Sequence, residues 1–395
     1  GVVIPDKFME IIHKATKEPG FDDSWELIDP HSGEVKKVVS ARTLWVKLLQ
    51  NRMETGEPYL MFEDAVNADT PDFQKRKGLR VHHSNLCSEI TLATDEERTA
   101  VCCLSSVNLE YYDEWKKVPA FIPDLIRMLD NVLESFIQNA PSQLDRAKFS
   151  AMRERSLGLG AMGFHAYLQK NGISFESPIA SAVNYEIFDS IKSQAQKTTE
   201  QLAVERGACP DDDSCSVRNA HLLAIAPNAS SSIICGNTSP SIEPYRANAY
   251  TQKTKSGSYL QKNKFLEAVL DTYGENTDNT WKSIVTNKGS VQHLEFLTEE
   301  EREVFKTAVE INQSWIIEHA SQRQSFICQS QSVNLFFPPD VNKGELHNIH
   351  MLAWAKNMKT LYYLRSEAIS RADNVSNKIK REIIFEQQDC LSCEG

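Results

Sequence analysis

Ser84-Asn85-Leu86-Cys87-Ser88-Glu89, followed by the β-like runs Glu89–Ala93 and Thr99–Leu104, is the stretch on which both fold and chemistry turn. It sets a thiol between an amide and a carboxylate at alternate positions. On an extended segment, residues i, i+2 and i+4 share one side, so Asn85, Cys87 and Glu89 are expected to face one substrate. His82, His83, Ser84 and Ser88 crowd around the thiol. That much polarity suits a loop carrying function better than the blander alternative, a buried cysteine beside a surface carboxylate. Glu89 is suited to accept or deliver a proton. In the second run, Cys102 and Cys103 are adjacent, and neighbouring strand side chains point to opposite faces. One thiol is expected toward a site and the other toward the core; the alternation does not say which.

Working outward, a charged turn over 94–98 separates the two runs. Helices are expected over Phe8–Lys17 and over Ala41–Glu54, the latter capped by Ser40 with an apolar stripe of Leu44, Trp45, Leu48 and Leu49. Further helices are expected over Pro119–Asn139, Ala180–Arg206, Thr298–Gln322 (opened by the capping box Thr298/Glu301) and Gly344–Met358. Asp145–Lys170 reads as helical with glycine interruptions. Strands are expected at His221–Ile225, Ala247–Lys255, Ser332–Phe337 and Thr360–Leu364. Strands alternating with long helices make an α/β architecture the default. Beyond Ser366 the chain turns polar and charged, which reads as a mobile tail.

Composition narrows the function classes. The chain has 395 residues, 41% hydrophobic and 25% charged, an ordinary globular profile. A net charge of −11 argues against a general nucleic-acid binder, which needs a basic footprint. There is no apolar run long enough to span a membrane and no leader-like start, so a cytoplasmic protein with no membrane partner is expected. Nine scattered cysteines suit a reducing compartment, and Cys209, Cys215, Cys235 and Cys328 read as isolated structural thiols. Gly1 in place of Met leads to the expectation of a processed product or a piece of something longer.

Four further motifs need weighing. Pro227-Asn228-Ala229-Ser230-Ser231-Ser232 is a hydroxyl-rich turn after a strand; it suits either a phosphate or a plain helix cap. Gly158-Leu159-Gly160-Ala161-Met162-Gly163 matches GxGxxG inside a helical pattern, so close packing is expected rather than a dinucleotide. Tyr362-Tyr363 reads as packing or as a redox pair of phenols. Cys390-Leu391-Ser392-Cys393 lacks the second pair a zinc ribbon needs, so a shuttling dithiol is favoured and no metal site is expected.

Taken in order, Ile4-Pro5-Asp6-Lys7-Phe8-Met9, Glu54-Thr55-Gly56-Glu57-Pro58-Tyr59, the Asn-x-Cys-x-Glu run, the tyrosine pair and the terminal CxxC resemble the catalytic large subunit of class I ribonucleotide reductase, over nearly the whole chain. The resemblance implies the C-terminal half of a ten-stranded α/β barrel over residues 1–365, with Cys87 on a central finger loop, and a redox tail over 366–395. It implies radical-based reduction of ribonucleoside diphosphates. Cys87 would be the thiyl radical, Glu89 the base at the 3′-hydroxyl, Asn85 (beside Ser84) the amide on the substrate hydroxyls, and Cys102 one member of the reducing dithiol. Pro227, Asn228, Ala229, Ser230 and Ser231 would hold the substrate phosphates. Tyr362 and Tyr363 would relay the radical, and Cys390 and Cys393 would recharge the site.

No directly bound cofactor is implied. The radical would come from a metal-containing small (beta) subunit, with ATP or dNTP effectors on an N-terminal part outside this chain. Implied partners are that small subunit, the N-terminal half of the large subunit, thioredoxin or glutaredoxin, and further copies in the assembled enzyme. The second cysteine of the dithiol would also lie outside, since no cysteine precedes Cys87. The tyrosine pair argues against a cobalamin-dependent relative. The competing classes are a non-catalytic fragment that completes an assembly and a zinc-binding module.

Overall fold

The computed structural model describes residues 1–254 and 257–366. Its strands are β1 (Val2–Ile4), β2 (Ser24–Ile28), β3 (Val35–Ser40), β4 (Leu60–Phe62), β5 (Cys103–Asn108), β6 (Leu157–Met162), β7 (Ala249–Thr254), β8 (Gly257–Lys262), β9 (Leu335–Phe337), β10 (Thr360–Leu361) and β11 (Leu364–Ser366). Pairs β2–β3 and β7–β8 are antiparallel hairpins. The rest join in one continuous order.

β5 lies parallel to β6 over six residue pairs. β6 bonds to the extended segment 221–225, through Leu157 N to His221 O (2.9 Å) and Leu159 N to Leu222 O (2.8 Å). That segment bonds in turn to 329–332, through Gln329 N to Leu223 O (3.1 Å) and Ser332 N to Ile225 O (2.9 Å). Both links are parallel. β9 continues this strand and lies parallel to β11, while β10 runs antiparallel to β4 and β4 parallel to β1. Five parallel segments therefore meet two of opposite direction, at the seam between β10 and β4. The expected α/β barrel-type fold holds, with two strands beyond the expected five-stranded half.

Long helices make the parallel links, since parallel neighbours need a crossover. Phe121–Asn139 buries Ile122, Ile126, Leu129, Leu133 and Ile137, a stripe at helical spacing. It packs on β5, β6 and the helix Pro178–Arg206. Ser40 caps Ala41–Thr55 by accepting from Thr43 N, as expected. One large core runs through all seven segments. A satellite core around Leu266, Leu270, Trp281 and Phe305 lies beyond the β7–β8 hairpin.

Three expectations are corrected. Glu89–Ala93 is irregular, and the second run becomes a strand only from Cys103. Asp145–Lys170 is a helix (Asp145–Glu154), then β6, then a second helix (Phe164–Lys170). Gly158 and Gly160 thus lie on a buried strand and Gly163 caps the helix that follows; a side chain on the strand would collide, since a Cβ at Gly160 would come 2.5 Å from Ala224 O. Thr298–Gln322 breaks after Val304 and restarts at Gln313. In the gap, Glu310 accepts from Thr307 N and Oγ1, and Asn312 caps the second helix; such local side-chain bonds compete with helix continuation.

Candidate active site

The loop that carries Cys87 is a closed turn. Ser88 N donates to Asn85 O (3.2 Å), Asn85 N to Ile90 O (3.2 Å), and Asn85 Oδ1 accepts from Ile90 N (3.1 Å). Ser88 sits at φ 69°, a region that non-glycine residues seldom enter. The expected pleated alternation is therefore replaced by a turn, which brings Asn85 and Glu89 into hydrogen-bond contact by folding back. Cys87 and Glu89 are each 2% exposed, whereas Ser84 and Asn85 are half-buried.

Strand 329–332 holds this turn. Ser330 N donates to Glu89 O (2.9 Å), and Thr91 N donates to Gln329 Oε1 (3.3 Å). Ser332 Oγ lies 2.5 Å from Cys87 O and 3.2 Å from Glu89 Oε2. Burial pushes the Glu89 carboxyl above its usual range, and the bonds from Asn85 and Ser332 oppose that. A raised carboxyl in a buried site is suited to accept and return a proton.

The same strand reaches the neighbouring thiol. Gln329 Nε2 donates to Cys102 Sγ (3.2 Å) and to Leu157 O (2.9 Å). Cys103 opens β5 opposite Leu157 and packs against the main core. The question the alternation left open is thus decided: Cys102 faces the strand that holds Cys87. A Cβ at Gly158 would come 2.8 Å from Cys102 Sγ, so this glycine makes room for the sulfur. Burial pushes the Cys102 thiol well above its usual range, keeping it protonated. Behind the strand, the buried Lys359 Nζ donates to the carbonyls of Ile327 (3.0 Å), Cys328 (3.0 Å) and Gln329 (2.6 Å), and pairs with Asp69.

Tyr362 donates its hydroxyl to Cys87 Sγ at 3.5 Å. The phenol is buried (8% exposed), and desolvation pushes its ionisation far upward. The rings of Tyr362 and Tyr363 lie 4.1 Å apart at 47°. Asn334 accepts from Tyr363 N (3.1 Å) and donates to the buried Glu243 (2.6 Å), while the Arg365 guanidinium lies 4.4 Å from the Tyr363 ring centre. Cys87 and both tyrosines thus form one contiguous group.

The segment Pro227–Ser231 leaves the end of strand 221–225, beside the strand that holds Cys87. Asn228 is at φ 50°; its Oδ1 accepts from Ser106 Oγ (3.1 Å), and its Nδ2 donates to Ser231 Oγ (3.3 Å). Among the described residues, the N–H groups of Ala229, Ser230 and Ser231 donate to no protein acceptor. Ala229 borders a cleft of about 430 Å³ that Ser232, Glu243, Tyr245, Arg246 and Lys262 also line. Cys390 and Cys393 lie outside the described residues. Of the four cysteines read as structural, Cys209 is buried and Cys328 half-buried, its Sγ accepting from Leu222 N (3.0 Å) and Leu223 N (3.2 Å). Cys215 and Cys235 are exposed instead, since both lie in surface loops.

Sequence reasoning missed Gln329, Ser332 and Lys359, and read Gly158 as a close-packing residue without placing it beside the thiol. A signal existed: Gln329-Ser330-Gln331-Ser332 is a polar run leading toward the apolar strand Leu335–Phe337. Polar residues entering a core strand have backbone or side-chain partners to satisfy.

A continuous α/β sheet that presents a buried cysteine loop against a tyrosine pair defines a barrel-type α/β scaffold with a buried thiol site. A family model described as ribonucleotide reductase, barrel domain, matches residues 1–214 and 213–364, and the chain belongs to that family. It is 47% identical over 374 residues to the ribonucleoside-diphosphate reductase large subunit of Invertebrate iridescent virus 3, covering 94% of this chain and 59% of that protein. It is 46% identical over 398 residues to the putative large subunit of Frog virus 3 (isolate Goorha), covering 68% of it. Among solved structures, the Actinobacillus ureae class Id ribonucleotide reductase alpha subunit matches with a TM-score of 0.82 at 40% identity, over 94% of this chain and 66% of that one. The chain thus spans only part of the length of these relatives.

Proposed function

We propose that this chain supplies the radical and reducing centre of a class I ribonucleotide reductase large subunit acting on ribonucleoside diphosphates. The observation that carries the reading is the buried Tyr362 hydroxyl bonded to Cys87 Sγ, with Glu89 beside it in the same turn. Family membership supports the chemistry assigned to that contact.

In this reading a hydrogen atom passes from Cys87 S–H to a Tyr362 phenoxyl radical, leaving a thiyl radical and a restored phenol. The thiyl takes the 3′-hydrogen of the ribose. Glu89 accepts the 3′-hydroxyl proton while Asn85 holds the hydroxyls, and the 2′-oxygen leaves as water. Cys102 and a second cysteine outside this chain give two electrons and two protons and become a disulfide. The hydrogen on Cys87 then returns to C3′, and Glu89 returns its proton to the 3′-oxygen. A dry site protects the radical. The unengaged N–H groups of Ala229, Ser230 and Ser231 suit the substrate phosphates.

The reading includes a small (beta) subunit as the source of the radical and an N-terminal portion bearing nucleotide effectors. It also includes thiol exchange through Cys390 and Cys393 with thioredoxin or glutaredoxin, in the cytoplasm. Among the described residues no helix is long and apolar enough to cross a membrane.

The test is the reconstituted holoenzyme supplied with 3′-deuterated nucleotide. The expected result is a primary isotope effect on deoxynucleotide formation, and loss of turnover in Cys87→Ser. Turnover surviving Cys87→Ser overturns the reading.

A further inference from the structure

We propose that Arg365 is a positioning residue that keeps the unpaired electron from resting on Tyr363, so that it passes on to Tyr362 and Cys87. The proposal rests on the radical route just proposed and adds to it a residue that touches neither substrate nor sulfur.

The geometry is specific. The Arg365 guanidinium carbon lies 4.4 Å from the Tyr363 ring centre. Its buried Nε has no hydrogen-bond partner among the described residues, and the cation lies against the ring face within the field of the buried Glu243. The ring is fixed from its backbone: Asn334 Oδ1 accepts from Tyr363 N, and Asn334 Nδ2 donates to Glu243. On the other side the Tyr362 ring lies 4.1 Å away. By contrast, no cation is placed over the Tyr362 ring among the described residues, whose hydroxyl is bonded to Cys87.

A cation over a phenol is attracted by the negative face of the π system. Removing an electron and a proton to make the neutral phenoxyl radical depletes that face, so the attraction weakens on oxidation. Arg365 therefore makes oxidation of Tyr363 harder, while Tyr362, which does not carry the cation over its ring, feels the same charge more weakly. The transfer at stake is Tyr363–O• plus Tyr362–OH giving Tyr363–OH plus Tyr362–O•, a single hydrogen atom moved with no other reactant. The first oxidant is the radical held by the small subunit. Arg365 tilts this exchange toward Tyr362.

The experiment uses the holoenzyme with substrate and effector, read by turnover and by electron paramagnetic resonance. Arg365→Met keeps the bulk and removes the charge. Turnover is expected to fall about tenfold, the scale of a desolvated cation–ring contact. A tyrosyl signal distinct from that of the small subunit should accumulate and vanish when Tyr363→Phe is added. Arg365→Lys, which restores the charge, should recover most of the turnover and shrink the signal. If Arg365→Met does not fold, Arg365→Gln is read in the same way.

Wild-type turnover in the charge-free variant overturns the proposal. So does reduced turnover without a new tyrosyl signal, which is what a purely structural role would give. Tyr362→Phe tells the two failures apart. If it turns over normally, the radical route itself is wrong; if it is dead while the charge-free variant is normal, only the role of Arg365 falls.

Discussion

Ser332 Oγ, 245 residues along the chain from Cys87, contacts both the backbone of Cys87 and the carboxyl of Glu89. A bond to the charged form of a carboxyl lowers its pKa, so Ser332→Ala should raise the Glu89 pKa further above its usual range. The acidic limb of the kcat/KM profile should move to higher pH. kcat should fall roughly tenfold, the scale of one hydrogen bond to a charged group, with little change in KM. An unmoved pH profile would show that Ser332 only supports the loop. At this scale the sequence was most legible where the chemistry is local. Asn85, Cys87 and Glu89 fall within one short run, and Tyr362 and Tyr363 are adjacent. Ser332 and Gln329 were not legible, because their partners are brought close only by strand pairing. The pleat inferred for Asn85–Glu89 failed because side-chain and backbone bonds close a turn, a competition that alternation cannot reveal.

Among the elements, β6 decides most. Its glycines were legible as close-packing residues, but the element around them was misread as helix because their neighbours fit a helical stripe as well as a buried strand. Gly160 faces Ala224 O so closely that a methyl group cannot enter without parting β6 from segment 221–225. Gly160→Ala should therefore cost roughly 1–3 kcal/mol, the range for overpacking a filled core. The shift should appear as a lower midpoint in denaturant unfolding. A midpoint equal to that of the parent protein would mean that the two strands separate freely. The long helices were legible from their stripes and caps, while the break after Val304 was not, because Glu310 and Asn312 act through their own backbone neighbours.

At the scale of the whole molecule, folding changes how many protons the chain holds. Burial raises the Glu154 carboxyl to about 7, between Gln74 and Ser150. Its unfolded value is that of an ordinary carboxyl. Between those two values the folded state binds the extra proton, so stability falls as pH rises through that window. Glu154→Gln removes this loss, and Gln74 Oε1, buried without a partner among the described residues, can accept from the new amide once its own amide turns over. The stability of the variant relative to the parent should rise by roughly 2–3 kcal/mol between pH 5 and pH 8. Parallel pH curves for the two proteins would refute this. The strand order, too, was legible only as an alternation of strands and helices; the reversal between β10 and β4 rests on pairings far apart in sequence. That reversal has a mechanical consequence. Cys87 hangs from one strand by a serine, and Tyr362 belongs to the next strand across, at the join where the two sheet directions meet. The proposed hop of hydrogen from sulfur to oxygen would tolerate errors of only tenths of an ångström, and adjoining rungs of one ladder supply that tolerance. The spark gap of this protein is set by its masonry rather than by its wiring.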